Sequence, residues 1–190
     1  MTRTLHLTGD EAADRLLATD PNAVLLGMVL DQQVTMEKAF AGPAVLAERL
    51  GGLDVERIAA MPTEEFVAVC ATPPAIHRFP RSMGERLQAV CRVLVADWGG
   101  TAAALFDAPT GAELKRRLRA LPGFGEQKAQ ILVALLGKQW GVTPEGWREA
   151  AGDYGLDGYR SVADVVDAAS LAQVRAVKKA AKAAARASAG

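Results

Sequence analysis

An all-α fold is predicted by three observations. Alanine is abundant while aromatic residues make up only 5% of the chain, which favours helices over strands. Apolar residues recur at helical spacing in segment after segment, and each segment is bounded by an Asp, Thr, Gly or Pro signal. Half of the 190 residues are hydrophobic, enough for one compact core or two small lobes that share one.

The elements follow in order. Thr4–Thr8 alternates weakly and reads as a short extended arm. Gly9-Asp10 opens a helix running to about Ala18, with Asp10 as N-cap. Asp20-Pro21-Asn22 breaks it, and a strongly apolar helix spans about Ala23–Asp31. Its polar end leads into a helix over Met36–Leu50, closed by Gly51-Gly52. Val55–Ala60 and Thr63–Ala71 read as short helices, the second with Glu64 and Glu65 favouring its dipole. Three prolines then stiffen the loop Thr72–Pro80. Ser82–Trp98 is a long amphipathic helix ended by Gly99-Gly100. Thr101–Phe106 and Ala112–Ala120 precede a Pro-Gly-x-Gly turn. The next helix runs to about Leu136, where Gly137 is expected to stop it. Thr143-Pro144-Glu145 reads as a fresh helix start: Thr as N-cap, Pro at the first position, an acid in the first turn. Gly152–Gly155 breaks that helix, and Val162–Ala168 and Leu171–Ala187 are the last.

Composition narrows the function classes. Formal net charge is zero, but no acidic residue follows Asp167, whereas Arg175, Lys178, Lys179, Lys182 and Arg186 do. Arg175, Lys178, Lys182 and Arg186 fall on one helical stripe, which suits phosphate contact or a solvated face. Cys70 and Cys91 sit in apolar segments and read as reduced core thiols, with neither a disulfide framework nor metal-binding spacing. No apolar run reaches membrane-spanning length and the N-terminus lacks a signal-peptide core. The expected location is therefore cytoplasmic, at the nucleoid.

The chemistry-bearing stretch is Leu121-Pro122-Gly123-Phe124-Gly125-Glu126-Gln127-Lys128-Ala129, between two helical segments. Gly123 and Gly125 can take backbone angles barred to other residues and allow close approach of a ligand. The N–H groups that open the second helix favour an anion. This pattern resembles the helix-hairpin-helix element of the HhH-GPD DNA glycosylase superfamily of base excision repair. A second match lies about ninety residues upstream. Val29-Leu30-Asp31-Gln32-Gln33-Val34-Thr35 is similar to the family's hydrophobic-L-G/S-Q/A-Q-x-S/T segment.

The resemblance implies a two-lobed all-α glycosylase fold. Residues 20–137 would form the core domain with the hairpin at about 112–136, and 1–19 with 138–190 the second lobe. It implies a double-stranded DNA partner carrying a damaged or mispaired base; the chain itself is expected to be a monomer. Gly123, Phe124 and Gly125 would hold the DNA backbone through main-chain N–H groups. Gln33 would fill the gap left by an extruded base. Gln127, Lys128, Lys178 and Lys182 would complete the DNA contacts.

Two departures from the family pattern shape the expected chemistry. Lyase-competent members carry a lysine two residues after the second hairpin glycine, where this chain has Gln127. Lys128 comes one residue later, turned by about 100° around the helix, and is expected at phosphate or solvent. The expected activity is therefore monofunctional: hydrolysis of the N-glycosidic bond without strand cleavage. The family's catalytic aspartate lies about twenty residues past the hairpin. Counting without gaps reaches Glu145; Asp153 is the second candidate, and the third reading has no such carboxylate. Without it, the chain would be a non-catalytic module that binds distorted DNA; a protein-interaction domain leaves the hairpin unexplained. No cofactor is required, an iron–sulfur cluster is not expected because the clustered cysteines are absent, and the hairpin carbonyls could hold a monovalent cation. His77 and Arg78 read as part of a connector with Ile76 and Phe79 packed on the core, or as a wall of the base pocket. Trp140, Trp147 and Tyr154 read as core, or as aromatics at the pocket mouth.

Overall fold

The computed structural model describes residues 3–189. Met1, Thr2 and Gly190, expected in the second lobe, lie outside the described residues. The chain folds into α-helices α1 (Glu11–Thr19), α2 (Pro21–Leu30), α3 (Met36–Leu50), α4 (Val55–Ala60), α5 (Thr63–Ala71), α6 (Pro80–Asp97), α7 (Ala102–Phe106), α8 (Gly111–Arg119), α9 (Glu126–Leu135), α10 (Trp147–Ala150) and α11 (Ala168–Ser188). No strand occurs among the described residues; one isolated bridge joins Thr110 and Glu145. No helix among them is long and apolar enough to cross a membrane.

Two helices form the centre. Every residue of α2 from Ala23 to Leu30 is buried, and so are Ala129 and Leu132–Leu135 of α9. Burying each large side chain of this kind stabilises the fold by roughly 1.5–3 kcal/mol. Close packing follows from small residues. A Cβ on Gly27 would run into the Phe40 ring, and one on Gly42 into Leu30, so α2 and α3 approach closely. The C-terminal end of α2 and the N-terminal end of α9 meet, with the Lys128 Nζ donating to the Val29 carbonyl at 3.1 Å. The two motifs, far apart in sequence, thus share one face of the molecule.

Most starts follow the capping chemistry. Asp10, Asp54, Thr101 and Thr110 each accept a hydrogen bond from the first turn they precede. The apolar helix begins earlier than expected, because Pro21 occupies its first turn and Asp20 caps it by accepting from the Asn22 N–H. The Thr63 hydroxyl, at the start of α5, donates to the buried Gln88 side chain at 2.8 Å.

Three expectations after the hairpin are corrected. Gly137 does not stop the helix. The chain widens into a π-turn over Leu136–Trp140 and ends at Gly141 (φ 75°), and Gly137 is small because the Trp147 ring lies against it. Thr143-Pro144-Glu145 does not start a helix. The Glu145 carbonyl accepts from the Gly111 N–H at 2.8 Å, Gly146 turns the chain at φ 70°, and α10 begins at Trp147. Val162–Ala168 is only a 3-10 turn, Val162–Asp164, because Asp167 caps α11 one turn later.

Candidate nucleic-acid interface and active site

The hairpin is built by Ala120–Gly125 between α8 and α9. Gly123 has φ 81°, a left-handed angle, and a Cβ there would collide with the Arg86 side chain. Gly125 behaves differently from expectation: its φ of −87° is open to any residue, and the space where a Cβ would sit is empty. Gly125 provides no side-chain cap, and the first main-chain bond of α9 is Ala129 N–H to Gly125 O. The preceding N–H groups of α9 therefore face outward. Phe124 cannot serve as expected; its N–H donates to the Leu121 carbonyl at 3.2 Å and its side chain is buried. Glu126 would repel an anion here, but Lys115 and Arg119 pair with it at 2.8 and 3.0 Å.

Gln33 lies beside the hairpin face, exposed and at φ 56°. A left-handed non-glycine residue is uncommon and is held by its surroundings. His77 supplies the hold. It is buried; its Nδ1 accepts from the Phe79 N–H at 3.0 Å, so its Nε2 carries the proton and donates to the Gln32 carbonyl at 2.8 Å. Ile76 is buried as expected, but Phe79 is not packed on the core: it is 44% exposed, with the Arg78 guanidinium 5.2 Å from its ring centre. An aromatic in a proline-rich loop looked like core, and no sequence signal separates the two cases.

Lys128 is neither solvated nor free for phosphate. The carbonyl end of α2 draws its ammonium inward, and burial pushes its pKa down to about 8 against the pull of Asp31. Gln127 turns the other way, and its Nε2 donates to the Tyr154 hydroxyl at 2.7 Å. On the Gln127 side opens a pocket of about 570 Å³, lined by Gln127, Gln130, Asp153, Tyr154, Arg160 and Val177. That volume suits a small organic ligand. Asp153 is exposed in the turn Gly152–Gly155.

Glu145 is elsewhere. Its main chain pairs with the start of α8, and the hairpin is at the other end of that helix, some 13 Å away at about 1.5 Å per residue. Its neighbours Thr143 and Pro144 line a different pocket with Pro21, at the end of α2 remote from Gln33. The gapless count is corrected accordingly, because α10 carries the chain back along α8 and α9 before the acid-bearing turn. Trp140 and Trp147 are not at the pocket mouth. Trp140 donates to the Leu17 carbonyl at 3.0 Å beneath the Arg3 guanidinium, and Trp147 packs on Gly137. Of the three aromatics only Tyr154 lines the pocket. A larger cavity, about 690 Å³, lies under the N-terminal arm, and no hairpin residue lines it.

On α11, Arg175 pairs with Glu37, Lys178 acts on Asp31, and Lys182 and Arg186 are exposed. The two cysteines are buried free thiols, and burial pushes each up to about 12.

Residues 26–189 match the family model described as HhH-GPD superfamily base excision DNA repair protein. No curated protein and no solved structure matches the chain.

Proposed function

Because the chain belongs to the HhH-GPD superfamily of base excision DNA repair proteins, with the glycosylase-type function that membership implies, we propose that it is a monofunctional DNA glycosylase acting as a monomer on duplex DNA with a damaged or mispaired base. The observation that carries this reading is the pocket beside the hairpin, where Asp153 and Gln127 are brought together and which neither tryptophan nor the His77 loop fills.

The duplex backbone lies on the hairpin, with a phosphate at the open N-terminus of α9 beside Gly125. Gln33 enters the gap left by the extruded base, and Phe79, on the loop that His77 ties to Gln32, stacks on an exposed base nearby. The base enters the pocket against Tyr154. Asp153 stabilises the sugar cation as the C–N bond breaks, or takes a proton from the attacking water. Glu145 has no part in this chemistry. Gln127 carries an amide where a Schiff base needs an amine, and the Lys128 amine is turned to the Val29 carbonyl; both support base release without strand cleavage. Among the described residues no group of His, Cys, Asp or Glu is placed to hold a metal. A monovalent cation at the hairpin would rest on main-chain oxygens such as that of Leu121, which accepts the Phe124 N–H and has a second lone pair.

The test is base release from duplexes carrying uracil, hypoxanthine, 8-oxoguanine, N7-methylguanine or an adenine·8-oxoguanine mismatch. Strand breaks are scored with and without hot alkali. Breaks only after alkali are expected. Breaks without alkali would show a lyase; binding with no release from any duplex would leave a non-catalytic module.

A further inference from the structure

We propose that the cavity of about 690 Å³ under the N-terminal arm is a second ligand site, and that it takes a small organic cation with an apolar body, whose N–H group donates to the Glu37 carboxylate.

The cavity lies where the arm before α1, the first turn of α3 and the start of α11 come together. Leu5 and Leu7 of the arm, Ala18 of α1 and Leu171 of α11 give it apolar walls. Its volume falls in the range of small-molecule sites. None of the residues assigned to DNA contact or base release lines it, so this site and the glycosylase reading stand or fall separately.

The first support is an acceptor without a donor. Glu37 lines the cavity, and its Oε1 pairs with Arg175 Nη2. Its Oε2 is closed off from water and accepts no hydrogen bond; among the described residues it is the one buried side-chain nitrogen or oxygen left so. Buried polar atoms almost always have a partner, so an orphan in a residue of a cavity wall points to a partner that binds and leaves. The carboxylate can reach one. The Glu37 side chain is 30% exposed, and its terminal torsion is soft, so a small turn presents Oε2 to the cavity. The Arg175 guanidinium has further N–H groups with which to follow Oε1.

The second support is the charge that the walls leave uncommitted. Four carboxylates line the cavity: Glu11, Asp14, Glu37 and Asp167. Asp14 is taken by the Leu7 and Thr8 N–H groups and the Thr8 hydroxyl, all at 2.9 Å. Glu11 pairs with Arg15 at 2.6 Å. The cations of the wall are engaged too. Arg15 holds Glu11, and Arg3 donates to the Ala18 and Trp140 carbonyls at 2.8 and 2.7 Å with its guanidinium on the Trp140 ring. What remains is carboxylate: Glu37 Oε2, and Asp167, whose Oδ1 takes the Ser170 N–H. His6, the other titratable group on the wall, can donate or accept. Such a wall disfavours an anion. It favours an ammonium or amidinium, which makes a charge-assisted hydrogen bond to a carboxylate while its apolar body covers Leu5, Leu7 and Leu171.

The experiment is calorimetric titration of the full chain with benzamidine, an apolar ring bearing an amidinium, beside benzamide, its neutral counterpart of nearly the same shape. Benzamidine should bind with a Kd of about 0.1–1 mM, and benzamide at least about tenfold more weakly. Glu37→Gln should weaken benzamidine at least about tenfold and leave benzamide within about twofold. Arg175→Met releases Glu37 from its pair and should tighten benzamidine several-fold, a direction that a loosened fold would not give. Ala168→Phe, at an exposed position on the wall, fills the cavity without removing a charge and should abolish binding. The Tm of each variant is read alongside; should Glu37→Gln unfold, Ala168→Phe and the benzamide comparison decide. Equal affinity for benzamidine and benzamide, equal benzamidine affinity in wild type and folded Glu37→Gln, or binding that survives in Ala168→Phe overturns the proposal. So does the absence of benzamidine binding to wild type at about 10 mM.

Discussion

The segments carrying Glu145 and Asp153 are eight residues apart in sequence and serve opposite ends of the α8–α9 pair. Glu145 is fixed through its main chain to the start of α8, so its side chain is incidental to the bond it makes. Asp153 sits in a tight turn that lines the pocket together with Gln127 and Gln130. The difference shows that distance along the chain is a poor guide to a site once a helix reverses direction. Here α10 makes that return, and its four residues are invisible to a gapless count.

The sharpest way to break the comparison is to neutralise each acid. Asp153→Asn should slow single-turnover base release by about 10²–10⁴-fold while binding of an abasic-analogue duplex persists. Glu145→Gln should leave release within about twofold, since its main-chain bond to Gly111 survives. A loss in Glu145→Gln with none in Asp153→Asn would reverse the assignment.

The two hairpin glycines offer a second contrast. Gly123→Ala puts a Cβ at a left-handed angle and against Arg86, and should cost about 1–2 kcal/mol of stability, read as a lowered Tm. Gly125→Ala meets open space at an ordinary φ, so its Tm should hold while DNA affinity falls several-fold, because the methyl group stands where a phosphate approaches. Equal effects on both readouts would remove the distinction between a turn glycine and a contact glycine.

Lys128 sharpens the comparison through pH. Its pKa is lowered from 10.5 to about 8 on folding, so between those values the unfolded chain holds the proton and the folded one does not. Its contribution to stability therefore rises with pH from about 8 to about 10.5. Denaturation of wild type against Lys128→Met across that window should show the rise in the difference between the two. A difference flat with pH would mean that the amine is not desolvated.

What was legible in the sequence was mostly local chemistry. The cap at Asp10, the hairpin pattern and the Gln33 segment are each decided within a few residues. What was not legible depends on partners from elsewhere in the chain. Gly137 reads as a helix stop until Trp147 is seen against it. Phe124 reads as a DNA contact until its N–H is found bonded to Leu121. Phe79 reads as core, yet the bond from its N–H to the buried His77 fixes the main chain while its ring stays exposed.

The smallest expected effect distinguishes the two parts of α11. Up to Arg175 the helix is tied down by Val174 in the core and by the Glu37 pair; beyond it every described residue is exposed. A helix segment with no packing partner has little intrinsic stability at that length, so phosphate contacts would be what orders it on DNA. Lys182→Ala should then reduce the slope of log affinity against log salt by about 0.9, with equal weakening on damaged and undamaged duplexes. Base release at saturating protein should not change, because Lys182 lies beyond the residues that meet the pocket. A salt slope unaltered by the substitution would make the exposed stripe a solvated surface, and would confine the DNA interface to the hairpin, Gln33 and the loop that His77 holds in place.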